Sequence, residues 1–547
     1  MKQIKFTILI ALISVIFCGC SKKSTTPPHL VAVPKDAMCV IAFDAKHIVD
    51  KAELNNYEQY KMFTFVLEAI ENQPAEMRKF IKDFLKDTRV SGLNLDEIFM
   101  YMSFNEGDES VGFTFLMDNV KKFEKLLEKA DLMLWIDEDR MIVTPSGMKI
   151  QWNDKIAVIG VNTGDTDLLN SDEKESILAN ETFKNAYTND KDVWMFYDMK
   201  LFFDRVFSIS EEVGLGQGDL AAFKLIMDFS FTLSFNSEKG SLVAEGKVFP
   251  EDKFTELYEK YYKTDFDSEL YKYFPDKSFF AIKLAFKPLD AYKNYKEIMG
   301  IGVSEEPTGL ATEEVEILDD NGKVIDVESI DVDSYRYNLN YNYQMKYFIE
   351  QYDEKITSVL SNFTGDFIGS VSSLENIMMP EVAIAAGIVE GKESDVIALM
   401  HEMGFEKNSE GYYSASVEFV KVYFAIKKNI AYFALTEDAI AKFLANGYSP
   451  NITSAKDFGS ELKAANIYSY MNMNINDYPA IVKTFIKNSQ GQVLMPLLEK
   501  LQSASMRNIG MTGNELKIKF NDKDYGSRTI IKAIDEMVVK YLGLVGR

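Results

Sequence analysis

The feature that most constrains this chain is that it repeats itself. Residues 154–161, DKIAVIGV, match residues 428–435, KNIAYFAL, and residues 193–199, VWMFYDM, match residues 467–473, IYSYMNM. Both pairs lie 274 positions apart. Two separate segments sharing one offset point to a duplicated unit, and a repeat has to be recognised before any single element is assigned. Upstream, PKDAMCVIAFD from Pro34 pairs with PDKSFFAIKLA from Pro275 at an offset of 241, so the second copy must hold about 33 extra residues. The insert is expected within residues 303–344. Each half reads as the same run: a proline-led strand, helices, a strand pair, a helix, a meander, a helix, another strand and a helix. The expected fold class is α+β, as two tandem and similar lobes at residues 34–265 and 266–547, each a mainly antiparallel sheet with packed helices.

Local patterns fill in these elements. MRKFIKDFLKD places Met77, Phe80, Ile81, Phe84 and Leu85 on one helical face, and NVKKFEKLLEKA does the same with Val120, Phe123, Leu126 and Leu127 above a Lys/Glu face. Such stripes are core faces backed by solvated charge. FTLSFNSEKGSLVAEGKVF, with Ser-Glu-Lys-Gly at its tip, reads as a β-hairpin.

The N-terminus has a different logic. Lys2 and Lys5 precede an apolar run from Phe6 to Phe17, which ends in Gly19 and Cys20. That run is shorter than the roughly 20 residues a spanning helix needs, so it reads as a cleaved signal peptide, residues 1–19. Phe-Cys-Gly-Cys resembles a lipobox, which implies diacylglycerol on Cys20, cleavage before it and acylation of the new amino group; several acyl chains anchor stably where one does not. SKKSTTPP then suits an extended tether, expected over residues 20–33. Loss of Lys2 and Lys5 from a chain of 60 bases and 84 acids takes the net charge from −24 to −26, which argues against nucleic acid as a partner. With 47% hydrophobic residues the chain has material for a large core. Cys39 is the one thiol left in the mature chain, so no internal disulfide is expected; in MCVIAF it reads as a buried, inert side chain.

The order of lipobox, short tether, PKDAMCVIAFDAKHIVDKAEL and SGLNLDEIFMYMSF resembles an uncharacterised family of Bacteroidota lipoproteins, a domain of unknown function numbered 4836. The similarity runs from about Pro34 to the end. Its motifs, a Pro-Xaa-Asp-Ala and a Ser-Gly-Xaa-Xaa-Leu strand opening, are structural, so the resemblance implies fold and compartment and carries no catalytic residue. Surface lipoproteins of that phylum often carry acids just after the lipidated cysteine; SKKSTT departs from this, which favours the periplasmic side of the outer membrane.

Candidate chemistry is sparse. The three histidines are His29 in the tether, His47 after the first strand and His401 in a helix. His401-Glu402 opens like a zinc-protease motif, but Phe405 stands where the second histidine belongs. Gly387-Ile-Val-Glu-Gly391-Lys392-Glu393 is one residue short of a phosphate loop and ends in Glu instead of Ser or Thr, so it reads as a hairpin or helix-opening turn. Gly214, Gly216 and Gly218 have the wrong spacing for a dinucleotide loop. There is no Gly-Xaa-Ser-Xaa-Gly elbow. Asp165, Asp167, Asn170 and Asp172 lack the glycine and terminal glutamate of a calcium loop and read as a solvated acidic turn. No metal and no cofactor is expected. Paired carboxylates abound, and choosing a catalytic pair requires distances.

One segment belongs to the second half alone. VEILDDNGKVIDV has Asn321-Gly322 between alternating arms, a hairpin signal, and YRYNLNYNY follows it. As a strand, that segment puts Tyr335, Tyr337, Tyr341 and Tyr343 on one face, which suits stacking on a sugar or clamping a peptide; the plainer reading is a tyrosine face covered by a helix of its own lobe. Three functional expectations follow. The first is a non-enzymatic envelope lipoprotein that binds a partner protein or supports assembly. The second is a glycan- or peptide-binding protein using the Tyr335–Tyr343 strand. The third is a carboxylate hydrolase, which an acid-lined cleft with raised carboxyls would favour.

Overall fold

The computed structural model describes residues 27–71, 75–105, 108–129, 140–144, 147–163, 167–169, 172–204, 229–298, 312–318, 324–331, 341–377, 379–417, 420–487 and 491–544. Its strands, in chain order, are β1 (Cys39–Asp44), β2 (Leu93–Asn105), β3 (Asp108–Met117), β4 (Met141–Val143), β5 (Met148–Trp152), β6 (Ile156–Val161), β7 (Val193–Asp198), β8 (Ser230–Glu238), β9 (Ser241–Phe249), β10 (Phe280–Ala285) and β11 (Thr312–Leu318). They continue as β12 (Val324–Asp331), β13 (Phe363–Ser373), β14 (Glu381–Ile388), β15 (Glu406–Lys407), β16 (Tyr413–Val417), β17 (Val420–Lys427), β18 (Ile430–Ala434), β19 (Tyr468–Asn472), β20 (Leu501–Ile509) and β21 (Gly513–Phe520). The fold is α+β with antiparallel pairing throughout the registered strands.

By compactness the chain divides into two units. Unit 1 takes the described residues up to Glu256, Ser278–Phe280, and those from Lys456 on; unit 2 takes Leu257–Lys277 and Ala281–Ala455. This differs from the expected lobes at 34–265 and 266–547. The physical reason is that β21 pairs along β9, Leu516 facing Ala244 and Lys517 facing Val243, so the last hairpin extends the first sheet. Unsatisfied edge groups of β9 provide that template.

The sheet of unit 1 runs β4–β5–β6–β3–β2–β1–β7–β8–β9–β21–β20–β19. Side chains alternate across it. Val40, Ala42, Phe99, Trp194 and Phe196 enter one core with Phe183, whose ring meets Trp194 edge-on at 5.6 Å. On the other face Phe43, Ile98 and Phe113 pack with Phe80, Ile81 and Phe84 of the helix Ala75–Lys86, and with Phe123 and Leu127 of the helix Val120–Lys129. Both helices bury the stripe their spacing predicts, at about 1.5–3 kcal/mol for each fully buried large side chain; the side chains of Met77 and Leu85 lie outside the described set. The hairpin β8–β9 turns at Lys239-Gly240, with Glu238 facing Ser241 and Gly240 at φ +73°. Gly92 opens β2 at φ +81°, and a Cβ there would collide with the Asn119 carbonyl oxygen, which accounts for the Ser-Gly-Xaa-Xaa-Leu pattern.

The start of unit 1 corrects the expected tether. Pro28–Ala32 form a 3₁₀ helix in which His29 and Leu30 are fully buried, and Val33 follows them into the core. The apolar side chains of Leu30, Ala32 and Val33 pay more by packing than as a solvated linker. His29 Nε2 lies 3.2 Å from the Glu97 carbonyl oxygen, and its ring packs against Phe99 with centroids 4.8 Å apart and planes tilted by 55°.

Unit 2 carries the ladder β13–β14–β18–β17–β16–β15. Beside it, the Phe286 N–H following β10 donates to the Gly365 carbonyl oxygen at 3.2 Å. The helix Glu393–Glu402 buries Val396 and Met400 against Phe405 and Phe424. β11 and β12 form a separate antiparallel hairpin with Leu318 facing Val324; its Asn321-Gly322 tip is outside the described residues.

Particular contacts recur along the chain. Pro34 bridges Ser176 and Pro275 bridges Asn451. The Ile177 N–H donates to Val33 O at 2.8 Å, and the Ile452 N–H donates to Phe274 O at 2.9 Å.

Candidate functional site

The sequence leaves a question that only packing answers, namely whether any acids converge. They do so in unit 1. Asp44 ends β1 and caps the helix Ala45–Ala52, accepting the His47 N–H at 3.0 Å, while His47 Nδ1 sits 2.7 Å from the other carboxylate oxygen. In the β1–β2 register Asp44 faces Glu97 directly. Like charges in that position repel, so the pairing costs stability. Around them lies a cavity of about 210 Å³, lined also by Asp50, Asp96, Lys46, Lys191 and Asn189.

Two of these carboxyls are held above their ordinary range. For Asp96 the main cause is burial, opposed by the cations of Arg89 and Lys46. Burial again dominates at Glu97, where the Tyr187 hydroxyl donates to Oε1 at 2.6 Å and works against it, and the Asp44 charge adds to the rise. Tyr187 in turn is pushed up by burial and by Glu97. Lys191 is committed to Glu245 at 2.6 Å. The cavity therefore brings four carboxyls together, two of them partly dehydrated, beside Lys46, Lys191 and His47.

A second cavity is much smaller. It lies in unit 2, between Phe274, Tyr432 and Tyr448, and measures about 10 Å³, room for one water at most. Among the described residues no group of three His, Cys, Asp or Glu side chains is placed to hold a metal ion.

The residues singled out from sequence fare unequally. Tyr341 and Tyr343 begin the helix Tyr341–Leu360 and so are not in a strand. This corrects the tyrosine-strand expectation: residues two apart share a strand face but not a helix face, and the downstream run of Met345, Ile349 and Ile356 has helical spacing. Tyr335 and Tyr337 lie outside the described residues, as do Cys20, Asp165, Asn170 and the Gly214–Gly218 loop. Asp167 accepts from Gln151 Nε2 at 2.7 Å, and Asp172 caps a 3₁₀ turn through the Lys174 N–H at 2.9 Å. Gly391, at φ +80°, turns the chain into the helix Glu393–Glu402. Cys39 is buried, its thiol pushed up to about 11 by desolvation. The acids of the cavity were missed, although LNLDEIF does carry a signal: two adjacent acids flanked directly by Leu95 and Ile98 inside a strand.

No described helix is long and apolar enough to cross a membrane. No curated protein matches the chain. Among solved structures, crystal form I of TP0453 is similar at 12% identity over 42% of this chain and 80% of that one, with a TM-score of 0.20. Crystal form III of TP0453 is similar at 10% identity over 45% and 92%, also at 0.20. Residues 31–301 match the model of DUF4836, a domain of unknown function.

Proposed function

We propose that this protein is a non-enzymatic binding lipoprotein of the cell envelope, held at a membrane by lipid on Cys20, and that its acidic cavity takes a cationic group of a peptide or polyamine. The observation that carries this reading is the convergence of Asp44, Asp50, Asp96 and Glu97 on one cavity, with two of the carboxyls raised by burial. A bound ammonium would relieve the Asp44–Glu97 repulsion, so affinity and specificity have one source.

We read the two halves of the chain as a duplication. In support, the ladders β2–β3–β6–β5–β4 and β13–β14–β18–β17–β16 run in the same order. The paired bridges and the paired Ile177 and Ile452 hydrogen bonds recur at shifts of 241 and 275 residues. Aligning Gly92 with Gly365, both at positive φ, sets Asp96 and Glu97 against Gly369 and Ser370; the 241 offset sets Asp44 against Ala285. The acids are thus private to the first copy, and the need to build a core twice does not explain them.

The test is calorimetric titration of the mature chain with spermidine and trilysine, with triglycine as control. Saturable heat with the two cations, lost in Asp50→Asn/Asp96→Asn, is expected. No heat with either cation removes the cavity as a cation site. A second reading, acid-assisted hydrolysis with Asp96 or Glu97 as proton donor, rests on their raised carboxyls beside Asp44. Turnover of a chromogenic glycoside panel that Asp96→Asn abolishes would favour it over binding alone.

A further inference from the structure

Of the twenty large apolar side chains exposed among the described residues, ten lie between Met471 and Tyr541. The most exposed are Ile481 at 68% and Phe485 at 79%, four residues apart on the helix Ala480–Lys487 and hence one turn apart on one face. The next helix, Gly491–Leu498, adds Leu494 at 48%. Single exposed apolar residues need no explanation, but stacked ones on a shared helical face do.

The charge along this stretch of sequence is also unlike the rest of the chain. Between Asp477 and Glu499 there is no acid, whereas 84 acids in 547 residues would put about three in such a stretch. Lys483 and Lys487 fall within it. Lys483 Nζ donates once, to the Asn476 carbonyl oxygen at 2.7 Å, and an ammonium has two further donors. In a chain of net charge −24, an acid-free stretch carrying two lysines is a local inversion that matches an anionic surface.

We propose that the helix Ala480–Lys487, with Leu494 of the next helix, is a peripheral docking site for an anionic lipid bilayer. Ile481 and Phe485 enter the boundary between headgroups and acyl chains, and Lys483, in a segment whose sequence also carries Lys487, supplies attraction to the headgroup phosphates. Lipid is favoured over a protein partner because the side chains project instead of lining a groove. A bilayer accepts projecting apolar groups without a preformed pocket. This contact is independent of any lipid on Cys20, and in an anchored protein it would orient the body on the membrane.

The experiment uses the mature chain with Cys20→Ala, so that acylation cannot mask the effect, and vesicles of phosphatidylcholine alone or mixed with phosphatidylglycerol. Co-sedimentation with the mixed vesicles only, weakened by salt, is expected. Ile481→Ser/Phe485→Ser should lower the partition coefficient about tenfold or more with an unchanged melting transition, because both residues are already in water. Lys483→Glu/Lys487→Glu, a second variant that leaves the apolar side chains in place, should abolish the preference for phosphatidylglycerol. Unaltered partitioning of both variants, or no partitioning of the parent chain, overturns the proposal. Self-association of the parent that the Ser variant abolishes, without vesicle binding, overturns it in favour of contact between copies.

Discussion

Replacing His29 tests whether the chain before the first strand is part of the core. Its ring is sealed from solvent, and its proton sits on Nε2, the nitrogen that faces the Glu97 carbonyl oxygen. Nδ1 has no partner, so protonating it would bury a charge that nothing accepts. Burial accordingly lowers the imidazole from 6.5 to about 3, against a smaller opposing contribution from the Glu97 hydrogen bond. The folded value lies below the unfolded one, so the unfolded chain binds the proton first. Stability from this group is complete above about pH 6.5 and is lost as pH falls from there towards 3. With an unfolded value near 6.5, going from pH 7 to pH 5 costs about 2 kcal/mol, at about 1.4 kcal/mol per unit once the unfolded imidazole is protonated. Glu97 and Asp96 act in the opposite direction, since raised carboxyls gain stability as pH falls through their folded values. His29→Gln leaves those acids in place, keeps an amide donor for the Glu97 carbonyl and does not titrate. All three tryptophans precede residue 200, so tryptophan fluorescence during urea unfolding follows the first part of the chain. Wild type should lose about 2 kcal/mol more than His29→Gln between pH 7 and pH 5. Equal losses would refute the argument that His29 is buried and neutral.

Two further outcomes are expected. Asp192 is 5% exposed and accepts Lys51 Nζ at 2.7 Å and the Ser237 N–H at 2.6 Å, so Asp192→Ala leaves the half-buried Lys51 ammonium with Asn236 Oδ1 alone and the Ser237 N–H without its acceptor, and should cost about 1.5–3 kcal/mol in urea unfolding; Lys51→Met/Asp192→Leu should recover most of it, and a single-variant loss under about 0.5 kcal/mol would contradict the pairing. Cys20→Ala should move the full-length protein out of the membrane fraction after detergent-free washing in salt; retention of the variant, with its signal removed, would sink the lipid anchor.

Much of the local structure was legible in the sequence because its causes are local. Periodicity of 3.6 put Phe80, Ile81, Phe84, Phe123 and Leu127 on buried faces, alternation around Lys239-Gly240 marked the hairpin of β8 and β9, and the Ser91-Gly92 pattern marked the opening of β2, whose left-handed glycine the structure then shows. Period alone also misled: YNY at 341–343 alternates like a strand, yet it starts a helix of 20 residues whose later side chains have helical spacing. What the tertiary structure decided depends on residues far apart meeting. Asp44 opposes Glu97 because β1 and β2 share a register, β21 extends β9 across more than 260 positions, and His29 is buried because Phe99 and Glu97 cover it. Hydrophobicity and turn chemistry specify which face of an element is buried, but not which distant strand or acid it will meet, since pairing between remote strands is chosen by the packing of the whole unit.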